Sequence, residues 1–88
     1  MDSLITYDVP NRHKEVKDGM IAKGYAKSFK SGEQSYILPN TTIWRANTAP
    51  ATALADLQAV TTALGVKLER AIATQFDNWA AIPGEPFK

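Results

Sequence analysis

Asp8 closes the run Leu4-Ile5-Thr6-Tyr7-Asp8-Val9, and Pro10-Asn11 follows at once. The run is rich in β-branched and aromatic residues, which predicts a strand, and the Pro-Asn pair predicts a turn after it. A carboxylate at the carboxyl end of a strand is a hard oxygen ligand in a place where layered folds tend to bind ligands, and it suits magnesium. In a two-fold dimer, two copies of Asp8 could face each other across the axis and share one ion. The same carboxylate equally suits a local duty, capping the next helix or accepting from turn amides.

Just beyond Asp8, Arg12, His13, Lys14 and Lys17 crowd two helical turns, where a helix dipole would favour acids. Arg12, Lys14 and Lys17 read either as a solvated face or as a basic lip able to hold the phosphates of a nucleic acid. Arg45, with Asn40, Thr41 and Thr42 beside Trp44, forms a second polar strip of a kind that touches nucleotides, and the same residues are routine in a bent strand. Trp44 itself reads as core or as a stacking surface. His13 is the only histidine, so a Ser-His-Asp or multi-histidine metal site within one chain is excluded. The chain has no cysteine, which excludes disulfides and thiolate metal sites, and its glycines form no phosphate-cradling motif.

The elements that must position these residues follow from periodicity. In the first strand, Ile5, Tyr7 and Val9 share one face, and Leu4, Thr6 and Asp8 the other. Asn11 is placed to cap a first helix that ends at Gly24, with Val16, Met20 and Ile21 as its buried stripe. Residues 25–30 predict a second strand and Ser31-Gly32-Glu33 a turn. Residues 34–45 predict a third strand, which Pro39 must bulge, bend or confine to an edge, because proline cannot donate to a ladder. A second helix runs from Ala51 to Leu64, with Asn47 as cap candidate, Pro50 in its first turn and Gly65 at its end. Leu54, Leu57, Val60 and Leu64 draw its stripe. Residues 66–76 predict a last strand, with Leu68, Ile72 and Phe76 on one face, and residues 79–82 a helical turn or short strand. The order strand, helix, strand, strand, helix, strand predicts an α+β fold of the ferredoxin-like βαββαβ kind, with two helices on one face of an antiparallel sheet.

The chain has 88 residues, 44% of them hydrophobic and 22% charged, which fits one folded domain over 1–82 and a flexible tail over 83–88. A net charge of +1 is too small to announce nucleic-acid binding from bulk electrostatics. No signal peptide and no membrane-spanning run are read, so a cytoplasmic, soluble protein is expected. A core this small gains from a partner, and the bare sheet face or the edge of the last strand is expected to meet a second copy.

The motif at residues 4–9, with this element order and length, resembles the small CRISPR-associated Cas-two proteins and their SinR-like relatives outside CRISPR loci. The resemblance implies a ferredoxin-like homodimer. It carries a metal role, as in a magnesium-dependent nuclease, onto Asp8 and a phosphate-holding role onto Arg12. Lys27-Ser28-Phe29-Lys30 and Leu38 to Trp44 depart from the pattern of the CRISPR members, so the chain looks closer to the relatives. The expectation is a non-enzymatic or weakly enzymatic homodimeric module that binds nucleic acid. The alternatives are a magnesium-dependent nuclease using Asp8 and a protein-binding regulatory or toxin-antitoxin partner.

Overall fold

The computed structural model describes residues 1–84. Strand β1 spans Ser3–Asp8, and its alternation is the predicted one: Ile5 and Tyr7 are buried, Leu4 is half-buried, and Thr6 and Asp8 are exposed. Helix α1 spans His13–Ala22 and buries Val16 and Met20 completely, while Ile21 is exposed. Asn11 does not cap it. Arg12 holds that position in the left-handed region, with φ 57° and no side-chain cap. Gly24, at φ 102°, ends the helix as expected, its N–H donating to the Ile21 carbonyl.

Helix α2 spans Pro50–Leu64, with Pro50 in its first turn and Gly65 at φ 68° after it. Ala49 rather than Asn47 stands at its start. Asn47 takes φ 52°, and its backbone N–H donates to the Asp2 carboxylate. The buried stripe is Ala53, Leu57, Val60 and Thr61, leaving Leu54 and Leu64 half-buried. Thr61 tolerates burial because its hydroxyl donates to the Leu57 carbonyl one turn back. The last strand, β5, is shorter than predicted, Arg70–Gln75, and Ile72 is 68% exposed on it.

The remaining strands are β2 at Ser28–Ser31, β3 at Gln34–Ile37 and β4 at Thr42–Arg45. Strands β4, β1 and β5 form an antiparallel sheet in that order, while β2 and β3 form a separate antiparallel pair. A single four-stranded βαββαβ sheet is therefore not what forms. Residue Ala26 bridges Trp44, and the Leu38 N–H donates to the Lys27 carbonyl, so five residues, 39–43, intervene on one side of a break in the ladder. Pro39 lacks a donor and Thr41 takes φ 59°, which turns the chain aside and lets β2 pair with its own hairpin partner. Pro39 does interrupt the segment as expected, but residues 34–45 are not one bent strand: β3 and β4 are separate strands in different sheets.

Ile5, Tyr7 and Ile43 from the sheet meet Val16 and Met20 of α1 and Ala53, Leu57 and Val60 of α2 in one core. Both helices thus cover the same face. Gly19 sets how closely they approach: a Cβ built there would lie 2.8 Å from Val60 Cγ1. Alanine at 19 gains about 1 kcal/mol of helix propensity, but overpacking against a stiff β-branched neighbour costs about 1–3 kcal/mol. We expect Gly19→Ala to lower stability in urea denaturation, and the double variant with Val60→Ala to lose less than the two single losses added together.

Candidate functional site

Pairing of β1 with β5 sets Asp8 opposite Arg70, and Arg70 Nε lies 2.7 Å from Asp8 Oδ2. Both side chains are exposed, and the carboxylate raises the Arg70 pKa by its hydrogen bond and its charge. The Asp8 carbonyl accepts the Glu69 N–H at 3.0 Å. Thr6, Ile72 and this pair line a shallow pocket of about 180 Å³. Neither local duty weighed from sequence, a helix cap or a turn acceptor, describes the side chain, which reaches across to the neighbouring strand. Within one chain the donor set does not fit a resident magnesium. A guanidinium already holds the one carboxylate, and no cluster of three or more acidic or histidine ligands exists among the described residues.

The basic residues are distributed rather than gathered. Arg12 Nη1 donates to the Leu64 carbonyl at 2.7 Å, and its Nε to Glu15 Oε2 at 3.1 Å. A cation is thus placed on the unsatisfied carbonyl end of α2, which explains a basic residue at the start of α1 that α1 itself does not want. Lys14 pairs with Asp18 at 2.6 Å, which raises its pKa. Lys17 donates to Asn40 Oδ1 at 3.0 Å, and burial together with the charge of Lys27 lowers its pKa. Arg45 lies elsewhere, its guanidinium carbon 5.7 Å from the centre of the Tyr25 ring. His13 is exposed at the first residue of α1. Lys17 on α1 and Asn40 of the polar strip are brought into contact, whereas Asp8, Arg12, Lys14 and Arg45 each bond or pack elsewhere.

The most developed concave site is on the sheet face away from the helices. Phe29, at the centre of β2, packs against Tyr36, Trp44, Phe76 and Trp79, with ring centres 5.4, 5.8, 5.1 and 4.9 Å away. Phe76 and Trp79 stack at 5.5 Å. Trp44 is half-buried, with its indole N–H donating to the Ser28 carbonyl at 2.7 Å, so it joins β4 to the hairpin. Residues 79–82 form neither a helical turn nor a strand; the chain runs irregularly back to β3, where the Pro83 carbonyl accepts the Ile37 N–H at 2.9 Å. The expected tail over 83–88 lies outside the described residues from 85 onward. Between this aromatic layer and the sheet is an apolar cavity of about 620 Å³, lined by Leu4, Thr6 and Thr42 below and by Phe29, Phe76 and Trp79 above, among others. Sequence reasoning missed it, although Tyr36, Leu38 and Trp44 were signals of more apolar surface than one small helix layer needs.

Comparison of the chain with protein-family models, with curated proteins and with solved structures finds no match in any of the three. No helix among the described residues is long and apolar enough to cross a membrane.

Tyr25, buried beneath Arg45, donates its hydroxyl to Asp56 Oδ2 at 2.8 Å; burial first, then this bond, push its pKa up to about 12. A folded-state pKa above the usual value of 10.0 means that the unfolded chain releases this proton first as pH rises. The stability tied to Tyr25 is therefore complete below pH 10 and is lost as pH climbs toward 12. Urea denaturation across that window should show the fall, and Tyr25→Phe should flatten it.

Proposed function

We propose that the protein is a non-catalytic homodimeric module of the ferredoxin-like, Cas-two-like kind, joined through the edge of β5. The observation that carries this reading is that, among the described residues, β5 is paired on one side only and exposes Ile72 beside its free edge. The bridge from Ala26 to Trp44 supports the ferredoxin-like assignment, since it continues the sheet order to Ala26, β4, β1, β5 with the edge strand peeling away beyond it. Antiparallel union of two β5 strands makes a continuous sheet across the two-fold axis. In such a dimer each Asp8 sits one strand inside the junction, so the two carboxylates are separated by at least three strand spacings, roughly 14 Å. That is too far for one magnesium ion with ligands at about 2.1 Å, which favours a binding role over a shared-metal nuclease.

The ladder itself supplies the test. Phe76 N–H donates to the Asp2 carbonyl, and pairing proceeds in steps of two, so the N–H groups of Thr74, Ile72 and Arg70 face β1. The amides of Ala71, Ala73 and Gln75 then face outward. Proline at 73 removes an outward donor and leaves the β1 ladder intact. In sedimentation velocity, the parent chain should run as a dimer and Ala73→Pro as a folded monomer. A monomeric parent chain at high micromolar concentration defeats the proposal.

Nucleic acid as the partner of this module has one specific support, the nearness of Lys17 to Lys27, whose charge helps lower the Lys17 pKa, with Lys14 one turn away on α1. Like charges held together in this way favour an incoming polyanion. Fluorescence anisotropy with short duplexes should show Lys14→Glu and Lys27→Glu each weakening binding and lowering the salt slope by about one, with Asp8→Asn unchanged. Magnesium-dependent cleavage that disappears in Asp8→Asn would instead establish the nuclease.

A further inference from the structure

We propose that the cavity between the open sheet face and the aromatic layer is a binding site for a planar, uncharged, largely aromatic small molecule that carries a hydrogen-bond acceptor. Its volume of about 620 Å³ lies within the range of roughly 300–1,000 Å³ typical of small-molecule pockets. No charged side chain lines it among the described residues, so an ionised ligand would lose its hydration without compensation. The walls are rings already fixed against one another: Phe29 meets Trp79 edge-on at 4.9 Å, and Phe76 and Trp79 are nearly parallel at 5.5 Å. Ring faces and edges so arranged favour a flat unsaturated guest, and little ordering is left for binding to impose.

The floor supplies the polar contact. Thr42 Oγ1 donates to Thr6 Oγ1 at 3.3 Å, which leaves the Thr6 hydroxyl proton free to donate to an acceptor on the guest. Residues 80–84 line the cavity as a strap, tied to β3 where the Pro83 carbonyl accepts the Ile37 N–H at 2.9 Å. The strap lies so close to β3 that a Cβ at Gly84 would be 3.1 Å from the Ile37 carbonyl oxygen. A helix or a second sheet laid over residues 80–84 would have to break that bond, which a small molecule in the cavity need not do. The site is separate from the β5 edge, so its occupancy and the dimer are independent properties.

Nile red, a flat and neutral dye with a carbonyl acceptor, provides the probe. Fluorescence titration of the full chain should show saturable binding at one dye per chain. Thr6→Phe, on an exposed strand position that accepts an aromatic residue, fills the floor and should weaken binding on the order of tenfold or more while circular dichroism shows the chain still folded. Trp79→Ala removes a wall at a partly exposed position, so folding persists, and binding should weaken as well. The proposal is overturned if the dye binds without saturation, if Thr6→Phe binds as tightly as the parent chain, or if binding vanishes at concentrations where the dimer forms. That last result would make a second copy the occupant.

Discussion

Strand β1 pairs with named strands along both edges, β4 on one side and β5 on the other, and the rest of the molecule depends on that double pairing. Its register is fixed by burial. A slip of one residue would turn Ile5 and Tyr7 out to solvent and bring Thr6 and Asp8 into the core. Once β1 is set, its odd residues form the floor for both helices, and its even residues define the opposite face from Leu4 through Thr6 to Asp8. The candidate sites are successive rows of that second face: Leu4 with Trp44 under the aromatic layer, Thr6 with Thr42 on the cavity floor, Asp8 with Arg70 at the open end.

A core built on one sheet face is small for a chain of this length, and the other face carries a second apolar layer of its own. Phe29 organises that layer, because the four rings around it come from β3, β4 and the segment after β5. The β2-β3 hairpin is a sheet apart from β4, β1 and β5. By leaving the sheet edge at Pro39 it swings Phe29 and Tyr36 over the face that would otherwise be bare. Separation of the hairpin from the three-stranded sheet and creation of the cavity are one structural event.

The charges tell a similar story of distribution. Arg12 looked like the entrance to a phosphate site, and its guanidinium instead completes the carbonyl end of a helix that begins 38 residues later in the chain. Lys14 is balanced within its own helix, and Asp8 is balanced across the sheet. One buried hydroxyl, that of Tyr7, has no hydrogen-bond partner. Among the described residues it is the one such group, and it lies on the helix-facing side, away from the polar rows of the open face.

The amino-acid sequence by itself determined what short-range physics controls. Alternation in residues 4–9 set the two faces of β1, Gly24 and Gly65 set the helix ends through positive φ, and Pro39 announced a break in the ladder. The spacing of Val16 with Met20 and of Leu57 with Val60 placed the helix stripes. Tertiary structure alone decided what depends on residues far apart. Arg70 as the partner of Asp8 follows from a strand register across 62 positions, Leu64 as the acceptor for Arg12 from helix packing, and the cavity from residues that run from 4 to 84. Such pairings are fixed only when the two sheet faces close, because side-chain spacing along the chain carries no information about which strand will lie alongside.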